Sequence, residues 1–272
     1  MRRFVDRYVA GKIRIGVEIR EKTRKLIAET EQMTGFQVAV TEDANIQTFA
    51  TVQMAVWDRP SHLIRIHPKA PAAFDYYIVH YCRMIQRFFE NPPEERHLFG
   101  MGEKGRYHFL KLLKSLPFAK RMGEVAILPI CEQLLAGFLT HLRTIPLGLR
   151  VDNWIFNEHP ELIETQRLAI QPQLQDANRS AGNQFRSVCP PQVFDDTMAI
   201  NAAFAQFWAE KWGQPELAVP YKASGHLAAG GKLLKILHDT PDSGRTDRAL
   251  IDAWGVELGV TQWYAWIPHK NP

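Results

Sequence analysis

Residues 73–99 read AFDYYIVHYCRMIQRFFENPPEERHLF, and the fold turns on this stretch. Phe74, Tyr77, Ile78, Cys82, Ile85 and Phe89 recur at three- and four-residue steps. That period puts them on one stripe of an amphipathic helix over 71–90. Asn91-Pro92-Pro93 then ends it, because proline lacks the N–H a helix needs and its ring clashes with the preceding turn.

Upstream, three short runs have β character: 36–40, 46–54 and 62–67. Asp58-Arg59-Pro60-Ser61 supplies turn chemistry between the last two, and HLIRIHP alternates before its terminal proline. Before these runs, Phe4, Val5, Tyr8, Val9, Ile13, Val17, Ile19 and Ile27 predict one long amphipathic helix ending near Thr34-Gly35. Downstream the pattern is helical over 106–116, 124–143, 147–157, 160–177, 194–212, 223–238 and 245–258. Polar, proline-containing residues 181–193 form the expected boundary or loop, and 240–246 a Pro/Asp/Gly turn. The fold class is therefore α+β. The expected division is a core over 1–180 and a helical C-terminal region over 194–272, packed on the core.

The composition bounds the function. The chain has 272 residues, 46% of them hydrophobic, with a formal net charge of +4. This is a globular balance and too mild to be a nucleic-acid footprint by itself. No run of about 18 uncharged apolar residues occurs, so no membrane partner is expected. The N-terminus has no signal-type apolar stretch. Cys82, Cys131 and Cys189 are odd in number, far apart and without a CxxC, which reads as free thiols in a reducing compartment, the cytoplasm.

The order of helix, small mostly antiparallel sheet and helix resembles the zincin metallopeptidases. There the helix carries H-E-x-x-H: two His one turn apart bind zinc and the Glu activates its water. The stretch 73–99 resembles the active helix of the ImmA/IrrE family of zinc-peptidase-like proteins. MAVWDRPSHLIRIHP (54–68) resembles that family's edge strand. LRVDNWIFNEHPELIETQ (149–166) resembles the downstream helix giving an acidic third ligand. The similarity covers residues 36–170. It implies His80 at the first ligand position, Tyr81 in place of the catalytic Glu, Met84 in place of the second His and Asp152 as third ligand. A tyrosine of ordinary pKa about 10 is no carboxylate base, and a thioether suits Cu(I) rather than Zn²⁺.

No intact catalytic residue is therefore expected. No metal cofactor is expected either; zinc, if bound, would use His80 and Asp152. The resemblance implies an inactive peptidase-like regulatory module that binds a peptide, protein or ligand through HLIRIHP and a cleft carrying His80, Tyr81, Arg83 and Asp152. Arg83 also reads simply as the solvent-side residue of its helix. One alternative is a hydrolase with a rearranged metal site, adding His159, Glu158 or Glu164 to His80 and Asp152. The other is a nucleic-acid-associated protein using the basic N-terminal helix.

Further motifs reduce to structure. SGHLAAGGKLLKIL (224–237) lacks the first Gly and the Ser/Thr of a phosphate loop, so Gly230-Gly231 read as a glycine-tolerant helix start or as close helix packing. His159, Glu161 and Glu164 surround Pro160 as a helix start does. His62 and His67, five apart on a strand, face opposite ways, and His97 falls in a solvated loop. Trp254, Trp263, Tyr264 and Trp266 read as a helix and terminal strand packing inward rather than as a stacking platform.

Overall fold

The computed structural model describes residues 19–56, 58–179 and 183–269. Most of the expected N-terminal helix, and the start of the loop expected at 181–193, lie outside them. The protein is α+β, with a small sheet and a long helical C-terminal part. Two compact units interleave along the chain. One comprises residues up to Arg96, Val151–Ile170 and the chain from Pro268; the other comprises His97–Arg150 and Gln171–Ile267.

The first unit holds α1 (Glu21–Thr34), β1 (Gln37–Glu42), β2 (Ala50–Gln53), β3 (Ser61–Ile66) and α2 (Phe74–Phe89). Gly35 ends α1 at φ 78°, a left-handed conformation open to glycine, and its N–H bonds Glu31 O at 2.8 Å. The strands run in the order β1-β3-β2, β1 parallel and β2 antiparallel to β3. The sheet is thus mixed rather than mostly antiparallel, and HLIRIHP is its central strand, not an edge. His62, Leu63 and Ile64 are buried in succession, as a strand flanked on both edges and covered on its faces requires. Among the described residues, the unpaired edge on that side belongs to β2.

On α2 all six stripe residues are buried, each worth roughly 1.5–3 kcal/mol of transfer free energy relative to exposure. The helix packs on α1, where Gln86 Nε2 donates to Thr30 Oγ1 at 3.1 Å between the two helices. The following prolines end α2, and Arg96 folds back over the Phe89 ring at 4.3 Å.

The second unit begins with β4 (His97–Met101), which pairs with β5 (Tyr264–Pro268) in a two-stranded sheet. His97 is therefore in a strand rather than a loop. Next come α3 (Glu103–Lys114) and α4 (Glu124–Glu158), one continuous helix where two were expected, with Pro129 and Pro146 inside it. α4 continues into the first unit from Val151, followed by α5 (Ile163–Arg179). Residues expected as a loop instead form α6 (Asn183–Val188) and the start of α7 (Pro191–Trp212). The chain ends with α8 (Val219–Ala223), α9 (Leu227–Asp239), α10 (Asp247–Glu257) and β5.

Helix α7 is the core of this unit, and its small residues let α9 approach. A Cβ on Gly230 would lie 2.7 Å from both Ala202 Cβ and Ala203 N, so the glycine is a packing residue. Arg150 is buried and closes the 240–246 turn. It donates to Thr240 O and Pro241 O, both at 2.9 Å, and to Asp247 at 2.8 Å. Trp254, Trp263 and Tyr264 are buried, while Asp252 Oδ1 accepts from Tyr264 at 2.9 Å and Trp266 Nε1 at 2.8 Å. This aromatic group is core. All three cysteines are free and buried.

One segment qualifies the membrane expectation. Val125–Glu158 is long and apolar enough to cross a bilayer by length and composition. The same helix buries Ile127, Cys131, Leu135, Phe138 and Leu142 at helical spacing, while 33% of its apolar window is buried.

Candidate functional site: a closed cluster around His80 and Asp152

On α2, Tyr76, His80 and Met84 follow one another at four-residue steps and share a stripe. In the folded chain, His80 Nδ1 lies 3.0 Å from Asp152 Oδ1, and Tyr76 OH donates to the same oxygen at 2.8 Å. The side chains of His80 and Asp152 are 14% and 4% exposed, so the pair is interior with one open rim. Because the carboxylate accepts, His80 presents Nδ1–H to it. Burial, then the Asp152 charge and hydrogen bond, hold the Tyr76 hydroxyl well above its ordinary pKa, so it remains a donor.

Asp152 is fixed from behind as well. Gln166 Nε2, from α5, donates to its main-chain carbonyl at 3.0 Å, while Gln166 Oε1 is buried without a partner. Tyr76 and Gln166 were not singled out in the sequence. The only signal for Tyr76 was its position one turn before His80.

Tyr81 turns toward the sheet, and its hydroxyl donates to Ala50 O of β2 at 2.8 Å. The direction of that carbonyl follows from the ladder. His67 N–H bonds Phe49 O at 2.8 Å, which makes 49/67 a hydrogen-bonded pair; the 50/66 and 52/64 pairs are then non-bonded. Ala50 and Val52 thus aim their main-chain groups outward, along the edge away from β3. Tyr81 covers the first of these positions. Among the described residues, no strand pairs with this edge at Val52.

Arg83 is half-buried rather than at the solvent side. It reaches Glu90 at 3.1 Å, Gln86 at 3.4 Å and lies over Trp154 at 5.3 Å, with Nε lacking a hydrogen-bond partner. Trp154 also carries the His159 ring at 4.7 Å, and His159 Nδ1 meets Glu161 at 3.3 Å. Met84 is half-buried, and Glu158 and Glu164 are exposed.

Zinc, implied by the resemblance, is not matched by these donors. Among the described residues no three His, Cys, Asp or Glu side chains gather as a metal would require. Even a catalytic zinc site with an open position uses three protein ligands. His80 and Asp152 meet; His159, Glu158 and Glu164 do not join them as a donor set.

Comparison with known family models, with characterised proteins and with solved structures finds no match to this chain. The reading of the site therefore rests on its own geometry and on the sequence resemblance.

Proposed function

We propose that this chain is a catalytically retired, peptidase-like binding module that holds an extended peptide segment of a partner along the outer edge of β2. The observation that carries this reading is the Tyr81–Ala50 hydrogen bond. In the resembled family a carboxylate base stands at that place. Here a phenol stands there and spends its proton on the edge strand.

The interior carboxylate is likewise committed. Asp152 serves Tyr76 and His80, so the cluster stiffens α2 against α4 and leaves β2 as the binding element. An extended peptide adds to such an edge through main-chain hydrogen bonds, with affinity supplied by the ladder and selectivity by flanking side chains. The outward N–H and C=O of Val52 are the first rung. This corrects the expectation that β3 would serve, since β1 and β2 already occupy both its edges. No metal and no membrane is needed for this mode, and a cytoplasmic regulatory setting suits it. For the rearranged-hydrolase alternative, no third donor joins His80 and Asp152 among the described residues. Residues 1–18 of the expected basic N-terminal helix lie outside the described residues.

The test is selection of peptides from a random displayed library against the full chain, followed by titration calorimetry with Val52→Pro. Proline removes the outward N–H without touching a ladder bond to β3. Selected peptides are expected to lose about tenfold or more in affinity, the equivalent of one to two hydrogen bonds. Undiminished binding to Val52→Pro, or no selectable peptide, would defeat the proposal.

A further inference from the structure

Residues 104–121 contain Lys104, Arg106, Lys111, Lys114, Lys120 and Arg121, with His108, and no Asp or Glu. On α3 this run is sorted by face. Gly105, Phe109 and Leu113 are buried at four-residue steps, whereas Lys104, Tyr107, His108, Lys111 and Lys114 are exposed at steps of three and four. Tyr107 is 70% exposed, an unusual position for a large aromatic ring.

The helix is seated firmly from beneath. A Cβ on Gly105 would lie 2.2 Å from Trp263 O, and Phe109 meets the Trp263 ring edge-on at 5.6 Å. The basic face is therefore a fixed array. Among the described residues, Lys104, Lys111, Lys120 and Arg121 have no carboxylate partner; Arg106 pairs with exposed Glu132 at 3.0 Å.

We infer that the α3 face is a binding surface for single-stranded nucleic acid, separate from the edge of β2. Lysines along one helix face neutralise successive phosphates, and Tyr107, with His108 beside it at 6.0 Å, offers a ring on which a base stacks. From Lys104 to Lys114 the helix rises about 15 Å, long enough to run beside a short stretch of strand. An anionic bilayer would be served by several aliphatic side chains among the cations, as on an interfacial helix. This face carries a single large ring and none of those.

The experiment is fluorescence anisotropy of the full chain with a labelled poly(dT) oligomer of about 20 nucleotides, across a salt series. Binding is expected at low salt. Lys104→Ala/Lys111→Ala should weaken it about tenfold and flatten the slope of log K against log salt by about 1.4, near 0.7 for each phosphate no longer neutralised. Tyr107→Ala should weaken it about fivefold or more with the slope unchanged, as loss of stacking does. Thermal melts of both variants should match the parent, since the substituted side chains are exposed. Absence of binding at low salt would overturn the inference, as would binding indifferent to these substitutions. So would binding lost only on Arg2→Ala/Arg3→Ala, or a lysine variant that loses phosphatidylserine vesicles but keeps the oligomer.

Discussion

His80 and Asp152 are separated by 72 residues in sequence and by 3.0 Å between Nδ1 and Oδ1 in space. Tyr76 completes the cluster from one turn away on α2. An interior carboxylate held by a phenol and an imidazole is a structural tie between α2 and α4. Its stability rests on every partner being present, because an orphaned buried polar group retains its desolvation penalty.

Removing the two ends of this tie should therefore have unequal effects. Asp152→Ala strands the Tyr76 hydroxyl and the His80 N–H and is expected to destabilise the fold by about 2–4 kcal/mol. Tyr76→Phe removes one donor while His80 still serves the carboxylate, for about 1 kcal/mol. Urea unfolding of both variants checks the order; equal effects would show that the carboxylate is not the hub.

The glycines give a second, graded test. Gly105→Ala would place Cβ 2.2 Å from the main-chain oxygen of Trp263, where no flexible side chain can give way. A loss of more than about 3 kcal/mol or failure to fold is expected, at the upper end of single substitutions. Gly230→Ala, against Ala202 and Ala203 at 2.7 Å, should also destabilise, because one of the opposing atoms is backbone. Gly137, inside α4 with nothing within 4 Å of its Cβ position, should gain about 0.5–1 kcal/mol on substitution by Ala. Thermal melts rank the three.

A pH dependence follows from His62. Its Nδ1 accepts the Ala55 N–H at 3.1 Å, and His269 Nε2–H donates to Ala55 O at 3.0 Å, so the two rings clamp one residue just beyond β2. Burial, with His269 and Arg59 nearby, brings the His62 pKa down from 6.5 to about 4. The unfolded chain takes up this proton near pH 6.5 and the folded chain only near pH 4. The contribution is thus fully present above pH 6.5 and fades between those values as pH falls, by about 3 kcal/mol in total. Urea melts at pH 7, 5.5 and 4.5 should show a steeper decline for the parent than for His62→Gln; parallel declines would contradict the clamp.

Much of this architecture was legible because it is local. The stripe of α2, the ending at Pro92-Pro93 and the close packing at Gly230 follow from three-residue and four-residue spacings and from glycine and proline chemistry. What escaped was pairing. β3 alternates like an edge strand, yet His62 is buried beside Leu63 and Ile64, and only the positions of β1 and β2 reveal it as central. β4 is five residues long and finds β5 far along the chain, a partner no local window contains. α4 runs through Pro146, where a break between separate helices was expected; buried residues on both sides, Leu142 and Leu149, hold the axis where propensity alone would break it. At the site, the resemblance pointed to His80 and Asp152, but nothing in the spacing marked Tyr76 or sent Tyr81 to Ala50.

The most direct measurement is the zinc content, by elemental mass spectrometry, of tag-free parent protein, His80→Ala and Tyr81→Glu/Met84→His. A retired peptidase scaffold predicts little metal in the first two. It predicts about one zinc per chain in the third, where the two substitutions add the missing imidazole to His80 and Asp152 one helical turn away. Near-stoichiometric zinc in the parent, lost on His80→Ala, would contradict the claim, and so would a double variant that folds but takes up no zinc.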